Sequence, residues 1–127
     1  MNEKIYIKIN ELKVYQLSRE LSSKGWDLYS NLNFEHKKII GDQFIRSIDS
    51  IGANIAEGYG RYHALDQIRF YHNARASLFE AIYHWSSLLF ERGIISQTDF
   101  EFLSNQSKEL EIKLNNFISA TRKSVKK

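Results

Sequence analysis

The sequence contains no cysteine and no proline, only six glycines and one methionine among 127 residues. Without cysteine there is neither a disulfide scaffold nor a thiolate metal site. Without proline there is no internal helix breaker, which favours an all-α domain. No run approaches the roughly 20 apolar residues that span a bilayer, so no membrane association is expected. The first residues, Met1-Asn2-Glu3-Lys4-Ile5, lack the basic-then-apolar layout of a secretion signal, and a cytoplasmic location is the expectation. There is no repeat at a fixed period, no low-complexity segment and no linker at which to divide the chain.

Hydrophobic residues make up 43% and charged residues 26%, ordinary globular usage that favours one folded domain over residues 1–127. Residues 1–10 read as an N-terminal arm, because Ile5, Ile7 and Ile9 alternate with Tyr6 and Lys8 at a strand-like period of two. Beyond them, apolar residues recur at helical spacing. A first helix is predicted over about 11–32, with Val14, Leu17, Leu21 and Leu28 on one face. A second covers about 35–59 with Phe44, Ile48, Ile51 and Ile55 inward, and Gly58 and Gly60 are expected to close it in the left-handed conformation. A third covers about 65–92, with Gly93 as its stop. Its seam runs through Ile68, Tyr71, Leu78, Ile82, Trp85 and Leu89, and Phe79, Tyr83, Leu88 and Phe90 widen the apolar surface enough to suggest a subunit interface. A fourth covers about 98–122, opening on a capping box between Thr98 and Glu101. Leu103, Leu110, Leu114 and Phe117 continue it inward. Four such helices on short connections predict an antiparallel up-down-up-down four-helix bundle.

The net charge is +3 and the sequence pI about 9.1. That basicity is local: Arg122, Lys123, Lys126 and Lys127 crowd the tail at 122–127, while residues 1–121 carry 14 basic and 15 acidic side chains. A short basic extension suits phosphate attachment, and it is also what a solvated helix end looks like.

Catalytic patterns are missing. His36, His63, His72 and His84 form no paired Glu-x-x-His ligand set, so no metal or other cofactor is expected. Gly58-Tyr59-Gly60 follows a helix and not a strand, which is the wrong setting for a nucleotide loop. No serine sits in a strand-turn-helix nucleophile context. No catalytic residue is assigned, and the chain is read as a binding protein.

A polar stripe runs beside the apolar seam of the second helix. Arg46, Ser50, Asn54, Glu57 and Arg61 follow at spacings of four, four, three and four and so share a face. Arg75 interrupts the seam of the third helix, with Ser77 and Glu80 nearby. An inter-helix network that sets bundle register is the plainer reading, because buried polar groups are normally satisfied. A ligand or nucleic-acid groove, with Arg61 at its rim, is the alternative.

The run Ser50-Ile51-Gly52-Ala53-Asn54-Ile55-Ala56-Glu57-Gly58-Tyr59-Gly60-Arg61, led by Arg46, resembles the R-x-x-x-S-I-x-A-N-I-A-E-G-x-G-R stretch of the four-helix-bundle proteins encoded in intervening sequences of bacterial 23S rRNA genes. Ala74-Arg75-Ala76-Ser77-Leu78-Phe79-Glu80 is similar to their second signature, Ala-x-x-Ser-Leu-x-Glu. Two departures are visible: Gly52 stands where the family often has proline, and His63 where a small capping residue commonly opens the third helix. The resemblance implies a four-helix bundle that associates with itself, some members forming ring-like pentamers. It also implies likeness to accessory proteins of diversity-generating retroelements, which bind nucleic acid and a reverse transcriptase through basic surfaces.

The expectation is therefore a non-enzymatic homo-oligomer, a pentamer by that resemblance, binding RNA or DNA without sequence preference. Arg61, Arg122, Lys123, Lys126 and Lys127 are the expected contacts. The alternative is a scaffold whose partner protein docks on an aromatic surface around Trp26, Tyr83 and Trp85.

Overall fold

The computed structural model describes residues 7–125. A 3-10 turn at Ile9–Glu11 leads into α1, Lys13–Ser30. Helix α2 occupies 34–59 as three continuous pieces: Phe34–His36, a π-helical stretch Lys37–Gly41, and Asp42–Tyr59. Helix α3 occupies 64–91 as Ala64–Leu78, a π-helical stretch Phe79–Ser86, and Ser87–Glu91. Helix α4 is Gln97–Lys123. Among the described residues there is no strand, and the chain is an all-α four-helix bundle.

Helix α1 packs on α2 and α4, and α3 packs on the same two, which leaves α1 and α3 on the diagonal. Cross-helix pairs run in opposite sequence order for every neighbour. Tyr29 meets Asp42 while Ser18 meets Gly52. Ser77 meets Ser50 while Tyr71 meets Gly58. Phe90 stacks on Phe100 while Tyr71 meets Phe117. Gln106 reaches Glu20 and Asp99 reaches Lys24. Neighbours with descending partners are antiparallel.

The core is the meeting of the apolar seams: Leu17 and Leu21, Phe44, Ile48, Ile51 and Ile55, Tyr71, Leu78 and Ile82, Leu103, Leu110 and Leu114, all buried. Each such side chain contributes about 1.5–3 kcal/mol on leaving water. Four serines are buried among them, and each hydroxyl is satisfied by a carbonyl of its own helix: Ser18 by Tyr15, Ser47 by Phe44, Ser86 by Ala81 and Ser107 by Leu103. They are small enough to let helices close up without orphaning a donor.

Four sequence expectations change. The alternating isoleucines do not make a strand at Ile9, which enters the 3-10 turn; Ile7 is held by its carbonyl accepting from the Tyr59 hydroxyl, and Ile5 lies outside the described residues. Gly58 does not close α2 in a left-handed conformation. Only Gly93 has positive φ among the described residues, and Gly60 sits at φ −80°. A Cβ on Gly58 would lie 2.7 Å from Tyr71 Cε1, so this glycine permits α3 to approach. The cap of α4 lies two residues earlier than Thr98: Ser96 is extended and its Oγ accepts from Asp99 N–H at 3.1 Å. Finally, Trp85 of the α3 seam packs against the core but is only half-buried, and Ser86 takes the fully buried position beside it. The π-helical stretch is the reason, since its repeat pairs residues five apart. Ser86 Oγ donates to Ala81 O at 2.8 Å, and Trp85 Nε1 to Glu80 Oε2 at 2.9 Å.

Gly93 does close α3, at φ 71°. Its N–H donates to Phe90 O and that of Ile94 to Leu89 O, the paired bonds of a Schellman stop.

Candidate functional site

The polar stripe of α2 meets α3 in a set of short bonds. Ser50 Oγ and Ser77 Oγ lie 2.9 Å apart. Asn54 Nδ2 donates to Ser50 Oγ at 3.0 Å and to Ser50 O at 2.9 Å. Beside them Gln43, Arg46, Ser47, Ser50, Ser77 and Glu80 line a cleft of about 190 Å³. Arg46 is exposed at its mouth, and Glu80 accepts from Trp85. Arg75 crosses instead to α4, where Nε donates to Asn115 Oδ1 at 3.0 Å, Nη2 lies 3.9 Å from Glu111 and the guanidinium covers the Phe79 ring at 5.0 Å. Within the stripe, Ser50 and Arg61 reach residues of α3, Asn54 bonds to Ser50 and Glu57 to Arg61, and Arg46 stays exposed.

The α2–α3 turn is closed with similar economy. Gly60 N–H donates to Ala56 O, Arg61 N–H to Gly58 O, and Gln67 Nε2 returns to Arg61 O at 2.8 Å. The Arg61 guanidinium pairs with Glu57 at 2.7 Å and Asp66 at 3.6 Å, and lies 4.6 Å from the centre of the Phe70 ring. Its Nε has no hydrogen-bond partner among the described residues. Asp66 also accepts from Arg69 at 2.6 Å, and that hydrogen bond, ahead of the charges of Arg69, Arg61 and His63, holds its carboxyl below the usual range. His63 opens α3 from an extended backbone without a side-chain capping bond.

The tail reaches the same end of the bundle. Tyr59, Gln67, Tyr71, Phe117, Thr121 and Ser124 line one small cavity, which puts the last turn of α4 against the α2–α3 turn. Arg122 Nη2 lies 3.4 Å from His72 Nε2. Arg122 and Lys123 are exposed and form no ion pair among the described residues; Lys126 and Lys127 lie outside those residues. The fold therefore assembles Arg61, Arg122 and Lys123 at one pole, and adds Arg69 and His72, which sequence spacing alone did not single out. Arg61 itself arrives neutralised by two carboxylates.

The three aromatic residues of the alternative site do not share a surface. Trp26, 60% exposed, stands with Tyr15, Arg19, Ser23 and Ala53 along a groove of about 520 Å³ between α1 and α2. Tyr83, on the diagonal helix, donates from its hydroxyl to Glu111 Oε1 of α4 at 3.1 Å. Burial first, then that carboxylate, raises its pKa. No group of three or more His, Asp or Glu side chains among the described residues could hold a metal ion, and no helix there is long and apolar enough to cross a membrane.

A family profile described as 23S rRNA-intervening sequence protein matches residues 10–116. A solved structure described as a protein of unknown function from the S23 ribosomal protein family of Bacteroides thetaiotaomicron is 29% identical. The match covers 83% of this chain and 97% of that one, with a TM-score of 0.76. No curated protein matches the chain.

Proposed function

The chain belongs to the 23S rRNA-intervening sequence protein family, and from that premise we propose that it is a non-enzymatic, self-associating bundle that binds RNA or DNA through backbone phosphates. The observation that carries the reading is the pole where α2 turns into α3 and α4 ends. There Arg122 and Lys123 stand exposed and unopposed by carboxylate among the described residues, next to His72. Two more lysines follow in sequence. Acid already engages Arg61 and Arg69, so at this pole the tail is the main source of free positive charge. Four tail charges make weak phosphate contacts in a monomer. Five symmetry-related copies would present about 20, and multivalency converts that into useful affinity.

The test is a fluorescence-anisotropy titration of labelled structured RNA and duplex DNA at several salt concentrations, with the full chain and with one ending at Thr121. Light scattering on the same samples gives the subunit number. Four lost phosphate contacts lower the slope of log affinity against log salt by about 3–4. Binding absent at low salt, or unchanged by truncation, overturns the reading. The second reading, a protein-interaction scaffold, is favoured by the exposed Trp26 above the α1–α2 groove; its complex would weaken little with salt.

A further inference from the structure

Tyr62 is 91% exposed, the most exposed large apolar side chain among the described residues. It follows directly on Arg61 and precedes the exposed His63, in a turn held by its preceding residues. Gly58 lies against Tyr71, Tyr59 holds the Ile7 carbonyl, and Arg61 is locked between Glu57, Asp66 and the Phe70 ring. The turn is fixed from within, so Tyr62 is presented outward on a rigid mount. Its one ring contact among the described residues is His63, whose centroid is 4.9 Å away at 84°, and at 91% exposure ring face stays open. Burying a tyrosine normally stabilises a domain by more than most side chains, and this one contributes nothing to the core.

We infer that Tyr62 is a stacking platform for an unpaired nucleobase, and that the nucleic acid this pole takes is single-stranded or looped. The inference rests on the phosphate-binding reading above and narrows it. A base held on the Tyr62 ring has its own phosphates at the pole where the end of α4 meets the α2–α3 turn, and where Arg122 and Lys123 are exposed without an ion pair among the described residues. A purely apolar protein partner would have to desolvate those cations with nothing to offer them, which is costly. A duplex keeps its bases stacked on each other and offers the ring no face. Stacking on an aromatic side chain tolerates any base, consistent with binding that does not read sequence.

The experiment compares a fluorescein-labelled oligouridine with a labelled duplex of equal length, using the full chain, Tyr62→Phe and Tyr62→Ala. Circular dichroism confirms that each variant is folded, as expected for a side chain outside the core. One base–ring stack is worth about 1–3 kcal/mol, so Tyr62→Ala should weaken single-strand binding by roughly 5- to 150-fold. Tyr62→Phe, which retains the ring, should bind as the unsubstituted chain does. The salt slope should not change, since stacking releases no counterions, and duplex binding should stay within twofold. Equal loss on both probes, or no loss on either, overturns the stacking inference while leaving phosphate binding intact. If the unsubstituted chain binds neither probe at low salt, the phosphate reading fails and the stacking inference fails with it. A Tyr62→Ala chain that binds oligouridine normally but loses self-association in light scattering assigns the ring to a subunit contact and overturns the inference.

Discussion

The motif Gly58-Tyr59-Gly60 contains two glycines for which the structure predicts opposite outcomes. At Gly58, an added Cβ would stand 2.7 Å from Tyr71 Cε1, 2.9 Å from Tyr71 Cδ1 and 3.0 Å from Gln67 O. Ordinary carbon contacts lie at about 3.5–4.0 Å, so the methyl group arrives about 1 Å too close. Tyr71 cannot swing aside: it is 1% exposed and its ring meets Phe117 at 4.9 Å. Overpacking of this kind costs about 1–3 kcal/mol, partly offset by the roughly 0.5–1 kcal/mol that alanine gains over glycine in a helix. Gly58→Ala should therefore destabilise the bundle by about 1–2 kcal/mol, lowering Tm by roughly 4–8 °C. At Gly60 the nearest atoms to an added Cβ are Ala56 O at 3.6 Å and Glu57 O at 3.7 Å, and φ is −80°. Alanine fits there, and Gly60→Ala should be neutral or stabilise by about 0.4–1 kcal/mol through the unfolded chain. Urea unfolding followed by circular dichroism measures both. In a Tyr71→Leu background the Gly58→Ala penalty should shrink, because the two changes share one contact. A Gly58→Ala chain as stable as the unsubstituted one, or a Gly60→Ala chain that is the weaker of the two, refutes the close-approach account.

Two further predictions concern α4. Ser96→Ala removes the Oγ that accepts from Asp99 N–H and should cost about 1 kcal/mol in urea unfolding, whereas Thr98→Ala, inside the helix and exposed, should stay within about 0.5 kcal/mol; the reverse order would restore Thr98 as the cap. Asp99 is held below its ordinary pKa of 3.8, first by the hydrogen bond from Lys24 at 2.8 Å and then by that lysine's charge. A depressed carboxyl stabilises the fold above its unfolded pKa and loses that contribution as pH falls through the folded value. Asp99→Asn should therefore unfold slightly more easily than the unsubstituted chain at pH 7, by less than about 1 kcal/mol for a pair still reached by solvent, and the difference should vanish well below pH 3.8. A gap that persists or widens in acid would mean the ion pair is not its source.

Helical period exposed most of the bundle because its seams are regular: Phe44, Ile48, Ile51 and Ile55 stand at spacings of four, three and four, and all four are buried. Where geometry departs from 3.6 residues per turn, period reasoning slips. Within the π-helical stretch Phe79–Ser86, Ser86 is fully buried while Trp85 stays half-buried against the edge of the core. A hydroxyl that can bond five residues back makes that arrangement inexpensive, and no hydrophobic pattern announces it. The glycines slipped for another reason. Composition says a glycine is permissive but not whether the permission is for φ or for space, and only the neighbour, Tyr71 for Gly58, decides. At the candidate pole, the tail was visible as four charges in six residues. Its juxtaposition with His72, and the neutralisation of Arg61 by Glu57 and Asp66, needed the fold.

Most of the residues that carry the family resemblance are engaged within the bundle, Arg46 excepted. Ser50 is bonded to Ser77 and Asn54, Gly52 lies against Ser18, Gly58 against Tyr71, and Arg61 is clamped by Glu57 and Asp66. A motif so engaged defines helix spacing and the shape of one turn, and it leaves few atoms free for a ligand. Substituting these residues should therefore lower stability first and change binding only as a consequence. The side chains left free to act stand mostly outside the motif: Tyr62 one position beyond it, and Arg122 and Lys123 brought to the same pole by α4, with Arg46 the exposed exception at the motif's start. A search for this protein's ligand should therefore vary the flanks of the motif and use the motif residues as folding controls.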